Sequence, residues 1–164
     1  MVNQLAGSGT MEGMLRYRQN RRTVMTERKD TEMTVMLNHT IVWCRDRDVS
    51  ARYLTEVLGL EAAKPWGPFM IVEMGNGVSL DYHQFYDSNS EILPQHYAFL
   101  VTEDEFDEIF GRIQSGGQAY WADPGRQAKG EINDNDGGRG VYFQDPDGHL
   151  LEIITRQYGG AAPA

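Results

Sequence analysis

Four metal-binding side chains fall at matching points of a repeated pattern. They are His39 in LNHTIVWC, Asp81 in GVSLDYHQF, His96 in QHYAFLV and Glu152 in DPDGHLLEIIT. Each stretch reads as a strand, with β-branched and aromatic residues bounded by turn-forming Gly, Pro, Asp and Asn. Side chains alternate along a strand, so His39 shares a face with Ile41 and Trp43, and Asp81 with Ser79 and His83. By the same parity His96 goes with Ala98 and Leu100, and Glu152 with Leu150 and Ile154. Glu152 is the sharpest signal. A carboxylate among four branched aliphatics costs several kcal/mol in lost solvation unless a cation meets it. Two imidazoles with one or two carboxylates suit Fe(II), Mn(II), Ni(II), Co(II) or Zn(II), whereas calcium prefers an all-oxygen set.

The elements that would position these residues come in one order, twice. A strand from Leu37 is followed by the helical stripe Val49, Tyr53, Leu54, Val57 and Leu58, which starts after Asp48 and is stopped by Gly59. Three strand candidates follow, in EAAKPW, FMIVEMG and GVSLDYHQF, and residues 87–94 form a polar connection. The pattern then restarts at QHYAFLV. Thr102 and Glu105 make a capping box for a helix with the stripe Phe106, Ile109, Phe110 and Ile113, and Gly116-Gly117 ends it. Strands in QAYWADP, GVYFQDPDG and HLLEIIT complete the second half. His39 and His96 open equivalent strands, so the chain is an internal duplication of a βαβββ module, over about 37–86 and 95–157. The expected fold is α+β, with two modules forming a curved mixed sheet around a cleft. If a pseudo-two-fold axis relates them, His39 and Asp81 converge on His96 and Glu152.

Bulk properties bound the function. The chain has 164 residues, 40% hydrophobic and 24% charged, enough for one domain with a real core. The net charge of −9 argues against nucleic acid, and no apolar run has the length of a membrane span or signal-peptide core, so a cytoplasmic protein is expected. A lone cysteine, Cys44, excludes an intrachain disulfide and reads as a small core hydrophobe. Residues 1–36 stand apart, with six of the eight methionines, no clean period and a charge of +2, and read as an extension that is flexible or docks as an arm. Residues 37–164 then carry 9 basic and 20 acidic residues, a net −11, and 159–164 form a short tail after the domain of 37–158.

Secondary candidates surround the four. His83 lies on the Asp81 face and is a candidate substrate contact, and His149, beside the DPDG turn, is expected at the surface. Trp66, Tyr120, Trp121 and Phe143 are candidate cavity walls, with Trp121 and Phe143 the chosen substrate contacts. The glycine-rich GEINDNDGGRG permits a lid or an anion-accepting nest, with Arg139 as a contact for a carboxylate or phosphate. It lacks the spacing of a nucleotide-binding P-loop.

With the repeated βαβββ order, the two strand-opening histidines and the DPDG-x-x-x-E ending in view, residues 36–157 resemble the vicinal oxygen chelate superfamily of glyoxalases, extradiol dioxygenases, and fosfomycin and bleomycin resistance proteins. The resemblance implies a homodimer with one divalent metal ion in a cleft, its ligands drawn from two chains where modules are exchanged. It implies His39, Asp81, His96 and Glu152 as ligands in glyoxalase-like members. In dioxygenase-like members it implies His39, His96 and Glu152, with the Asp81 position spare.

The expected function is a metal-dependent lyase, isomerase or ring-cleaving dioxygenase. It would act on a small substrate held by two adjacent oxygens, with Glu152 as candidate base. The alternative is a binding protein that sequesters a small molecule, as bleomycin resistance proteins do. Thiol transfer to an epoxide would want a cationic pocket and fits the −11 domain poorly.

Overall fold

A computed structural model describes residues 35–85 and 91–159. The expected arm over 1–36 and tail over 159–164 lie almost wholly outside the described residues. The chain divides at Met36, and the architecture that follows belongs to the unit from Leu37 onward.

Two four-stranded mixed sheets with identical topology make up this unit. The first module runs β1 (His39–Cys44), α1 (Arg47–Leu58), β2 (Lys64–Trp66), β3 (Phe69–Glu73) and β4 (Ser79–Gln84). The second runs β5 (His96–Leu100), α2 (Glu103–Ser115), β6 (Tyr120–Trp121), β7 (Gly140–Gln144) and β8 (Leu150–Ile154). The strand orders are β1-β4-β3-β2 and β5-β8-β7-β6. In each, the first and last strands run parallel and the other pairs antiparallel. This is the α+β fold expected of duplicated βαβββ modules, and neither sheet closes on itself.

Local chemistry sets the elements. Asp46 caps α1 by accepting from the Asp48 and Val49 amides, so the helix begins earlier than the apolar stripe alone suggested. Gly59 ends α1 with φ at 73°, and a Cβ there would meet the Arg112 guanidinium at 2.7 Å. Arg112 Nε in turn donates to the Val57 carbonyl at 2.9 Å, which ties the two helices together. Thr102 and Glu105 form the expected capping box on α2.

One core serves both modules. Val42, Leu54, Val72 and Tyr82 from the first pack in the same apolar cluster as Phe106, Val141, Phe143, Leu151 and Ile153 from the second. Cys44 sits within it fully buried, and burial pushes its thiol up to about 12, so it is an inert core group. No helix among the described residues is long and apolar enough to cross a membrane.

The DPDG turn fastens the modules to each other. Asp145 Oδ1 accepts from the Asp147 and His149 amides and sets the turn. Asp147 then accepts from the Arg45 amide and from Ser50 Oγ of the first module. His149 corrects the sequence reading, because it is fully buried and not at the surface. Its Nδ1 accepts from the Gln95 amide at 2.9 Å, and its Nε2 lies 2.9 Å from the Trp43 carbonyl, to which it donates. A buried imidazole here satisfies two backbone groups on opposite sides of the module junction.

Candidate metal site and aromatic face

Ladder register makes the two halves equivalent residue by residue. His39 pairs with Ser79 and Ile41 with Asp81, while His96 pairs with Leu150 and Ala98 with Glu152. Each histidine therefore opens its sheet, and each carboxylate stands two positions along the neighbouring parallel strand on the same face. The opposite faces carry Val42, Leu80, Leu151 and Ile153 into the core.

The second-module pair is in contact. His96 Nε2 lies 3.3 Å from Glu152 Oε2, with the imidazole 47% exposed and the carboxylate fully buried. His96 Nδ1 sits 3.0 Å from the Leu150 carbonyl, which can only accept, so Nδ1 carries a proton, and Nε2 is the nitrogen turned toward Glu152. His39 is arranged alike, with Nδ1 2.9 Å from the Asn38 side-chain oxygen. An imidazole whose far nitrogen donates to an oxygen is the usual posture of a metal ligand.

Glu152 itself is half satisfied. Tyr158 donates its hydroxyl to Oε1, and Tyr142 Oη lies 3.0 Å from Tyr158 Oη. Oε2 is buried with no hydrogen-bond partner. Its contact with His96, at 3.3 Å, is one of distance without a hydrogen bond. A proton on His96 or another cation at this point would relieve the buried oxygen. Burial, and after it the Glu152 carboxylate, pushes the phenols of Tyr142 and Tyr158 up, so both stay hydroxyl donors.

Within one chain the four candidates do not form one cluster. Among the described residues no three His, Cys, Asp or Glu side chains stand together as a metal set. Asp81 is buried and accepts from Ser79 Oγ at 2.8 Å.

The first module's open face carries an aromatic row. Trp43, His83, Phe69 and Trp66 occupy successive ladder partners across four strands, two positions beyond Asp81. Ring centroids lie 4.8 Å apart for Trp43 and His83, 4.9 Å for His83 and Phe69, and 6.2 Å for Phe69 and Trp66. Phe85 adds a ring 4.6 Å from Trp43. Trp43 is 38% exposed and Trp66 69%. His83 thus stands on the Asp81 face as the sequence implied, inside an aromatic array.

Two substrate candidates are corrected. Phe143 points into the core and is fully buried, because the antiparallel register places Tyr142, not Phe143, opposite Glu152. Arg139 turns to α2, where its guanidinium bonds the Glu103 and Asp107 carboxylates and the Glu103 carbonyl and lies 4.4 Å over the Phe106 ring. Three of its five donors and its charge are engaged by α2, which turns the guanidinium away from the role of anion contact. The preceding loop is pinned by two backbone hydrogen bonds between Asn133 and Gly140, where a Cβ on Gly140 would meet Asn133 Oδ1 at 2.7 Å. Trp121, partly exposed, stands in the Glu152 row beside Tyr142.

Tyr142 and Tyr158 were missed in the sequence. The first needed the β7–β8 register, and the second lies beyond the last strand, where no periodicity applies.

Residues 36–153 match the model of the Glyoxalase/Bleomycin resistance protein/Dioxygenase superfamily. The chain belongs to this superfamily. Among solved structures it is 61% identical to the oxidase ChaP-H1, with a TM-score of 0.74 over 77% of this chain and 100% of that one. It is 60% identical to the oxidase ChaP-H2, with a TM-score of 0.75 over 79% of this chain and 100% of that one. It is also 32% identical to the glutathione transferase FosA of Serratia marcescens, over 74% of this chain and 81% of that protein. These relatives carry the names of enzymes, two oxidases and a transferase.

Proposed function

We propose that this chain is a divalent-metal oxidase, working as a homodimer, that holds a flat aromatic substrate through two adjacent oxygens. The observation that carries the reading is the buried, unpartnered Oε2 of Glu152 facing Nε2 of His96. His96 and Glu152 of one chain would hold the ion together with His39 of a second chain. Asp81 serves as a fourth ligand or as a partner of Ser79. A shared site is supported by the failure of the four residues to cluster within one chain and by the exposed Ile41 and Leu100 on the open sheets.

When bound, a divalent ion of this kind supplies Lewis acidity toward paired oxygens and, for iron, a route to dioxygen. The chain's own residues do the rest. Trp43, His83, Phe69 and Trp66 offer a ring face on which a planar substrate stacks, each aromatic pair adding about 0.5–1.5 kcal/mol beyond area burial. Tyr142 and Trp121 flank Glu152 from the second module and narrow the approach. The oxidase branch is favoured over thiol transfer by 60–61% identity to two oxidases against 32% to the transferase.

Metal content of the protein purified without added metal, with oxygen uptake on polyhydroxylated aromatics, tests the reading. Stoichiometric metal that disappears in both His96→Ala and Glu152→Ala, with substrate-dependent oxygen consumption, supports it. Tight binding of an aromatic compound to metal-free wild type would favour sequestration instead, which the aromatic row would equally serve.

A further inference from the structure

Glu152 has two oxygens in two different situations, and the difference originates outside the sheet. Oε1 receives the hydroxyl of Tyr158, whereas Oε2 is buried and unpartnered beside His96 Nε2. Tyr158 lies beyond the last strand and is 46% exposed, so the fold does not depend on it as on a core residue. Its hydroxyl is itself held, 3.0 Å from that of Tyr142 on β7. The Tyr142 ring stacks against His96 at 5.9 Å between centroids. Tyrosine, glutamate and histidine thus form a closed circuit, which leaves Glu152 Oε2 and His96 Nε2 facing each other.

We propose that Tyr158 is a positioning residue that occupies Oε1 of Glu152 and so fixes the carboxylate as a one-oxygen metal ligand through Oε2. The proposal rests on the metal reading above. A bare carboxylate on a stiff strand can rotate and present both oxygens to a cation, or leave it. With Oε1 engaged, rotation breaks a charge-assisted hydrogen bond, and only Oε2 points to His96. Glu152 then stays on the ion as a holder and does not leave it as a base. Tyr142 supports this arrangement by holding the Tyr158 hydroxyl and by its own interaction with the Glu152 carboxylate.

The test is Co(II) binding to the full chain, followed by calorimetry and visible absorption, for wild type, Tyr158→Phe and Tyr158→Leu, with thermal unfolding of each metal-free protein. Phe keeps the ring and removes only the hydroxyl. The expected result is Co(II) affinity about 10–100-fold weaker in both variants alike, with metal-free Tyr158→Phe still unfolding cooperatively and its midpoint lowered only by the loss of one hydrogen bond to a buried carboxylate. The visible band of Tyr158→Phe should also lose intensity, as the freed carboxylate binds through both oxygens and raises the coordination number. Wild-type affinity in Tyr158→Phe would overturn the proposal while leaving the metal site standing. Weaker binding with an unchanged spectrum would overturn the one-oxygen claim. Weaker binding by a metal-free Tyr158→Phe that no longer unfolds cooperatively would make Tyr158 a prop of the fold, and overturn its role. Absence of Co(II) binding in the wild type would sink the metal reading itself, and this inference with it.

Discussion

His96 Nε2 and Glu152 Oε2 face each other at 3.3 Å with no hydrogen bond to the buried oxygen, while His96 Nδ1 donates to the Leu150 carbonyl. A buried acceptor left without a donor costs about 1–3 kcal/mol. The metal-free fold therefore carries a penalty at this point that a cation would relieve. Sites of this kind trade stability for function.

Glu152→Gln tests the trade directly. Its amide places an N–H where Oε2 stood, within reach of His96 Nε2. The metal-free variant should be more stable than wild type by about 1 kcal/mol in chemical denaturation, and should bind no divalent metal. A destabilised variant would mean that Oε2 is already satisfied.

His149 should be indispensable to the module junction. His149→Ala removes a fully buried ring and strands the Gln95 amide and the Trp43 carbonyl. The expected loss is about 3 kcal/mol in denaturant unfolding, from a cavity and two orphaned backbone groups. A loss under about 0.5 kcal/mol, as at an ordinary surface site, would contradict the bridging role.

Arg139 should report on acid stability. Glu103 is held below the usual carboxylate range by hydrogen bonds from Thr155 first and Arg139 next, and Asp107 by its hydrogen bond to Arg139. Carboxyls with lowered folded values stabilise above their unfolded range and lose that contribution as pH falls through the folded values. The midpoint difference between wild type and Arg139→Met should be present at neutral pH and shrink below about pH 4. A difference independent of pH between 2 and 7 would assign Arg139 a packing role over Phe106 alone.

Trp66→Ala should separate binding from folding. The indole is 69% exposed and stacks on Phe69, so its loss should leave the unfolding midpoint within error. Affinity for a planar polyhydroxylated aromatic should fall about tenfold, the worth of one stacked ring. Unchanged affinity would remove the aromatic row from the substrate site.

Period-two alternation revealed the duplicated strands and put His39, Asp81, His96 and Glu152 on comparable faces, and the capping box at Thr102 marked α2. Two limits explain what was not legible. Parity within β7 does not say which of Tyr142 and Phe143 faces Glu152, since that depends on pairing with β8. His149 and Arg139 looked like surface or ligand groups because their partners, Trp43 and Gln95 for one and Glu103 and Asp107 for the other, are distant in the sequence. Tertiary pairing settles such polar residues, and no local pattern records it.

A metal site assembled from two chains should be rebuilt when two inactive variants are mixed. His39→Ala and Glu152→Ala chains, unfolded together and refolded, should each lack metal when alone. Random pairing yields heterodimers with one intact site of two, so the mixture should regain about one quarter of the wild-type metal content. A mixture that regains none, from a metal-loaded wild type, would contradict a site that joins His39 of one chain to His96 and Glu152 of another.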